Sequence, residues 1–295
     1  MKFLITGSNG LLGQKIVRQL VKRNIPFLAT SLGENRNSKC PDQYYQSLDI
    51  TNEGEVQQII EDYQPSIVIN TAAMTNVDAC ENDEYNCRKI NVEAVQYLFN
   101  ASKTIKAFFI HLSTDFVFDG ENGPYKEMDS RHPLGIYAKS KADSEDILTA
   151  SSYTNWAILR TIIVYGQGEN MSRSNLVLWA KEALKSGQEL TIVNDQFRSP
   201  TWADDLAWAC IQTGMLEAKG TFHICGPDFG SIYELVIRIA EYFKLNTSNI
   251  IPISSTRLNQ AAKRPPRTGF ELTKAREILG YQPKSLEECL SLLTD

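Results

Sequence analysis

The chain has 295 residues, 42% of them hydrophobic and 22% charged, a balance that suits a globular protein with a buried core and excludes a disordered or fibrous one. Thirty lysines and arginines against thirty-five aspartates and glutamates give a formal charge of −5, and no stretch collects enough positive charge for a nucleic-acid groove. No apolar run approaches the roughly 20 residues of a membrane span, and the six cysteines (Cys40, Cys80, Cys87, Cys210, Cys225 and Cys289) form no C-x-x-C pair, so a cytoplasmic protein with reduced thiols is expected.

In chain order, the first predicted element is a strand over Lys2–Thr6, read as such rather than as an export signal because no cleavage pattern follows it. It runs into Gly7-Ser8-Asn9-Gly10-Leu11-Leu12-Gly13, after which Leu12, Ile16, Val17, Leu20 and Val21 recur at helical spacing. Glycines between a strand and a helix allow a tight turn and let a pyrophosphate approach the free N–H groups of the helix N-terminus. The motif therefore points to a dinucleotide, with a purely structural turn as the alternative. A second strand, Pro26–Thr30, ends at Ser31 without the acidic residue that holds the ribose 2′-hydroxyl in NAD-selective sites. Ser31, Asn35, Arg36 and Lys39 suit a 2′-phosphate instead, which favours NADPH and leaves NADH possible; the alternative for Arg36 is a solvated loop cation.

Strands over Ser66–Asn70, Lys106–Leu112 and Trp156–Ile163 alternate with helical patterns at Val56, Ile59 and Ile60 and at Val92, Val95, Leu98 and Phe99. This alternation predicts an α/β fold with a Rossmann-type, doubly wound parallel sheet. The second of these strands ends His111-Leu112-Ser113-Thr114, and Tyr137 and Lys141 follow at i and i+4 on one helix face. An ammonium beside a phenol stabilises phenolate and so pulls down a pKa of about 10. Tyr85 and Lys89 share the spacing but follow no such strand. Beyond Tyr165 the alternation becomes irregular, with a turn at Gly166 and Gly168, a helix near Asn175–Lys185, a strand Leu190–Val193, a helix Ala203–Gly214 and a cationic loop at Arg264-Pro265-Pro266-Arg267. Residues 1–165 are thus expected to bind NAD(P), and residues 166–295 to form a smaller C-terminal α/β substrate region partly interleaved with them. His111, His132 and His223 lack metal-ligand spacing, so no metal is expected and His111 is read as a satisfied core residue.

With these residues assembled, the chain resembles the extended short-chain dehydrogenase/reductase superfamily. Within it, Ser113-Thr114-Asp115-Phe116-Val117-Phe118, Pro133-Leu134-Gly135-Ile136-Tyr137-Ala138-Lys139-Ser140-Lys141 and Asn194-Asp195-Gln196-Phe197-Arg198-Ser199-Pro200-Thr201 are similar to the dTDP-4-dehydrorhamnose reductase family. That resemblance implies hydride transfer from NADPH to the C4 ketone of a deoxysugar nucleotide, in a possible homodimer. It implies Tyr137 as proton donor, Lys141 as holder of the nicotinamide ribose, and Thr114 as hydrogen-bond partner of the sugar oxygen. It places Gly7, Asn9, Gly10, Leu11 and Gly13 at the pyrophosphate, Asp49 and Ile50 at the adenine, and Ala72, Ala73 and Thr75 at the middle of the cofactor. Asp115, Phe116 and Asn175 are carried over as substrate residues. Arg198 stands where these reductases commonly have glycine, and Ile163 where an aromatic often lines the sugar pocket, so the sugar stays open. Arg198 either pairs a diphosphate or forms a structural ion pair, and Arg264 either meets the same diphosphate or belongs to a solvated surface loop. Two other functions remain: a sugar-nucleotide epimerase or dehydratase, though Asp115 is followed by Phe116 and not by a second carboxylate, and a non-catalytic subunit similar to the β subunit of methionine adenosyltransferase.

Overall fold

The computed structural model describes residues 1–258 and 260–293. In chain order the strands are β1 (Phe3–Thr6), β2 (Phe27–Ser31), β3 (Tyr45–Ser47), β4 (Ile67–Asn70), β5 (Phe108–Thr114), β6 (Trp156–Thr161), β7 (Val164–Tyr165), β8 (Leu190–Val193), β9 (Phe197–Arg198), β10 (Thr201–Trp202), β11 (Gly220–Ile224), β12 (Gly230–Ser231), β13 (Ile250–Ile253) and β14 (Arg267–Thr268). The helices are α1 (Leu11–Lys22), α2 (Glu53–Tyr63), α3 (Val77–Asn82), α4 (Glu84–Arg88), α5 (Ala94–Thr104), α6 (Ile136–Thr149), α7 (Leu176–Lys185), α8 (Ala203–Met215), α9 (Ile232–Tyr242), α10 (Thr273–Leu279) and α11 (Leu286–Leu290).

Seven strands form one sheet in the order β11-β6-β5-β4-β1-β2-β3, with every pairing parallel. Its strands are apolar at successive positions because both faces are covered. Phe3 and Ile5 meet Ile16, Val17 and Leu20 of α1 and Leu206 and Ile211 of α8 on one side. Leu4 meets Val56 and Ile60 of α2 and Val95 and Leu98 of α5 on the other. Asn52, Asn76, Asp83 and Asn175 cap their helices by accepting a backbone N–H, which satisfies donors that a helix start leaves free.

The doubly wound sheet matches the expectation, with three differences of detail. β3 and β11 were not anticipated as strands. β3 is a half-exposed, three-residue edge with no apolar run, and β11 arrives only after the irregular stretch, pairing with β6 from Gly220↔Ala157 to Ile224↔Thr161. β5 continues two residues past Leu112, which carries Ser113 and Thr114 to the end of the strand. β6 stops short of Ile163, whose φ of 34° is a left-handed conformation that β-branched residues rarely adopt.

The remaining small strands and α7, α9 and α11 lie beyond this sheet. β8 and β13 pair with each other and share a core with α7 and α9. β9 sits between β12 and β14. The chain then re-enters the first layer: α8 packs beside α1, and β11 closes the sheet.

Candidate active site at the switch point

The strand order reverses between β1 and β4, the place where doubly wound sheets open a crevice at their carboxyl ends. A cleft of about 920 Å³ occupies it. Its walls are the first turn (Gly10 to Gly13), the segment after β4 (Thr71, Ala73, Thr75), the end of β5 (Leu112 to Phe116), Tyr137 and Lys141 of α6, Ile163, and the segment from Gly168 to Asn175.

The first turn has the shape a pyrophosphate needs. Gly7 has φ 69°, and a Cβ there would lie 2.8 Å from the backbone nitrogen of Ala72; a Cβ on Gly13 would collide with the carbonyl oxygen of Gly7. Glycine is what lets β1, α1 and the segment after β4 approach so closely. The buried hydroxyl of Ser8, in the same turn, has no hydrogen-bond partner. Asn9 ties this turn to the loop after β2: its Nδ2 donates to the Glu34 carbonyl at 2.8 Å and its Oδ1 accepts from the Arg36 N–H at 2.8 Å. The backbone N–H of Asn9 donates to Ser31 Oγ at 3.2 Å. Ser31 and Arg36 are thus drawn to the first turn, with the Arg36 side chain exposed. Asp49 closes its own turn by accepting from the Thr51 N–H and hydroxyl, at 2.9 and 2.8 Å. Neither Asp49 nor the half-buried Ile50 is among the residues lining the cleft. These residues fit a dinucleotide laid across the switch point.

Tyr137 and Lys141 lie one turn apart on α6 and face the end of β5. Tyr137 packs edge to face against Phe116 at 6.0 Å. Burial pushes its phenol pKa up, and the neighbouring Thr114 side chain only partly opposes this. The net shift is upward rather than the expected lowering, because desolvation outweighs the stabilisation an ammonium offers; Lys141 Nζ itself lies 3.1 Å from His111 Nε2. Burial pulls the Lys141 pKa down to about 8. The Thr114 hydroxyl donates to Asp115 Oδ1 at 3.1 Å and so is not free. Tyr85, by contrast, is exposed.

The two arginines offered to a diphosphate are structural. Arg198 is 2% exposed; it donates to the carbonyls of Phe197 at 2.7 Å and Pro265 at 2.6 Å, and its Nε lies 3.5 Å from Asp115 Oδ2. Of the two readings for Arg198, the structure shows the ion pair. Arg264 pairs with Asp78 at 2.6 Å, which holds that carboxyl below its ordinary value. Asn175 lines the cleft, but its side chain is committed to backbone: Oδ1 accepts from the Leu178 N–H at 3.2 Å and Nδ2 donates to the Gly166 carbonyl at 2.7 Å. The exposed cation on the cleft wall is Arg173, which sequence reasoning missed. It lies in a stretch without periodicity, and only folding brings its Nη2 to Thr75 Oγ1 at 2.8 Å. Among the described residues no cluster of three or more His, Cys, Asp or Glu is placed to hold a metal ion, and no helix is long and apolar enough to cross a membrane.

Comparison with known proteins agrees with this architecture. A dTDP-4-dehydrorhamnose reductase of Aggregatibacter actinomycetemcomitans is 34% identical, over 98% of this chain and 97% of that one. Methionine adenosyltransferase 2 subunit beta of Pongo abelii is 30% identical, over 95% of this chain and 82% of that one. The crystal structure of dTDP-4-dehydrorhamnose reductase from Bacillus anthracis in complex with NADP superposes with a TM-score of 0.86 at 28% identity, covering 99% of this chain and 98% of that one. Residues 1–295 match the family described as RmlD substrate binding domain, and the chain belongs to that family.

Proposed function

We propose that the chain reduces the C4 ketone of a deoxysugar nucleotide with NADPH, converting dTDP-4-dehydrorhamnose to dTDP-L-rhamnose. The observation that carries this reading is a buried phenol, Tyr137, beside Thr114 and Lys141 at the wall of a cleft shaped for a dinucleotide. Reduction of a ketone needs an acid in its protonated form, and burial keeps Tyr137 protonated at neutral pH.

Gly7, Asn9, Gly10, Leu11 and Gly13 hold the pyrophosphate of the cofactor, and Ala73 and Thr75 border its middle. Asp49 and Ile50 take the adenine side. Bound NADPH supplies the hydride that reaches C4. Tyr137 gives its proton to the ketone oxygen as negative charge develops there, and the Lys141 ammonium stabilises the phenolate left behind; Thr114, whose hydroxyl donates to Asp115, borders the reacting oxygen. Phe116 fixes the Tyr137 ring, and Arg173 offers a cation to the substrate's diphosphate. Asp115 is held by Arg198 and by the Thr268 hydroxyl, so it is not available as the acid that an elimination would need. This argues against the dehydratase reading. The setting is cytoplasmic, in keeping with six buried, unpaired cysteines, and a homodimer is the assembly that family resemblance implies.

The test is loss of NADPH absorbance on addition of dTDP-4-dehydrorhamnose made in situ. Rapid oxidation supports the reading, and NADPH binding without oxidation overturns it. The likeness to methionine adenosyltransferase 2 subunit beta supports a second, binding-only reading, for which co-purification with a partner enzyme is the sign. Cofactor choice has its own test. Arg36→Ala is expected to weaken NADPH several-fold and NADH little, because only NADPH brings a 2′-phosphate to the exposed guanidinium. Equal losses in fluorescence titrations of both cofactors would make Arg36 a bystander.

A further inference from the structure

The reduction uses Tyr137, Lys141 and Thr114 and leaves one titratable side chain beside them without a task. His111 is fully buried near the end of β5. Its Nε2 lies 3.1 Å from Lys141 Nζ and 2.9 Å from Ser144 Oγ, and its Nδ1 lies 3.2 Å from the side-chain amide of Asn70. The far side of that amide meets the Thr6 hydroxyl at 2.6 Å. The chain of contacts thus crosses the ends of β1, β4 and β5 and finishes on the lysine.

Proton accounting decides how this network works. An ammonium only donates, whereas a neutral imidazole has one donor and one acceptor nitrogen. Burial and the nearby Lys141 charge hold the His111 pKa well below its ordinary value, so the ring is neutral. The Asn70 amide fits either way round with the same heavy-atom positions, and the Thr6 hydroxyl can donate or accept. With Nδ1 carrying the proton and donating to the amide oxygen, Nε2 presents its lone pair to Lys141, and the Ser144 hydroxyl, which donates to the Lys141 carbonyl at 2.7 Å, does not compete as a donor for it. The reverse would set an N–H against an ammonium.

We propose that His111 is a positioning residue for the reduction, accepting a hydrogen bond from Lys141 through Nε2 and so keeping that amine cationic and beside Tyr137. The other ionisable groups near Lys141 do not replace it. Glu145 is one turn along α6, but its carboxylate is bound by Arg160 at 2.7 Å and Arg131 at 3.0 Å. The Cys87 thiol on α4 is engaged by Ser140 and Asn91, and burial keeps Tyr137 protonated at neutral pH. Without His111 the buried ammonium loses its acceptor, and burial then favours the neutral amine.

The proposal rests on the reductase reading for its consequence, but its first readout needs no turnover. Lysine side chains labelled with ¹³C and ¹⁵N report the titration of Lys141, its resonance assigned by its absence from Lys141→Arg. In His111→Leu, which removes the acceptor, the Lys141 titration is expected to move to lower pH by about one unit. The alkaline limb of the kcat profile should move with it. His111→Gln, which offers a carbonyl oxygen in place of Nε2, should track the unsubstituted protein. If the leucine variant does not fold, His111→Asn, whose amide falls short of Nζ, makes the same comparison. An unmoved Lys141 titration in the leucine or asparagine variant overturns the proposal even if activity drops, and so does a glutamine variant shifted as far as leucine. A shifted titration in a protein that never oxidises NADPH upholds the proposal and removes the reductase reading.

Discussion

Tyr137→Phe is expected to lower the reduction rate about 100-fold to 10,000-fold, the range for loss of a positioned general acid, while NADPH binding is retained. Phenylalanine fits the same apolar surround, formed by Cys80, Cys87, Met74, Val77, Phe116 and Ile136. The fold therefore loses little, and the reaction loses its proton source. Single-turnover kinetics at saturating NADPH separate the two effects. A variant that turns over at the original rate would remove Tyr137 from the chemistry. The pH profile follows from the neighbouring lysine. The Lys141 pKa is lowered to about 8, so its charge is present below that pH and lost above it, and activity is expected to fall as pH rises through about 8.

The second large effect is on stability. Arg198→Met removes one partner of a buried ion pair and leaves Asp115 charged, with Thr268 and Thr114 as its remaining partners. Removing one member of such a pair typically costs about 3–5 kcal/mol, and here the carbonyls of Phe197 and Pro265 lose their donor as well. Urea unfolding should show that loss. The double variant Arg198→Met with Asp115→Asn should recover part of it, because no uncompensated charge then remains. A single variant as stable as the original chain would mean that the pair does not hold β9 and β14 against the end of β5.

Legibility in the sequence followed the range of the forces involved. Strands buried on both faces and amphipathic helices leave local periodic patterns, so β1, β2, β4, β5, α1 and α5 could be read directly. The glycine turn and the Tyr137/Lys141 pair were legible for the same reason, since each depends on residues a few positions apart. Arg198 and Arg264 were not. Their partners, Asp115 and Asp78, are distant in sequence, and an arginine looks identical whether it awaits a phosphate or is already paired. The sequence marks His111 as a satisfied core residue. It is indeed buried and hydrogen-bonded, but one of its partners is the lysine of the site, a contact no spacing rule reports. Arg173 was passed over because its neighbours carry no pattern.

The late arrival of β11 has a consequence for how the protein is made. When Thr161 leaves the ribosome, β6 has β5 on one side and an unpaired edge on the other, because its second neighbour begins at Gly220. About sixty residues must still be synthesised, several seconds of translation at roughly 5–20 residues per second. During that interval an apolar edge strand lies open to pairing with another nascent chain. The intervening segment, which supplies Ile163, Arg173 and Leu178 to the cleft wall, therefore sets the length of the period in which aggregation competes with closure of the sheet.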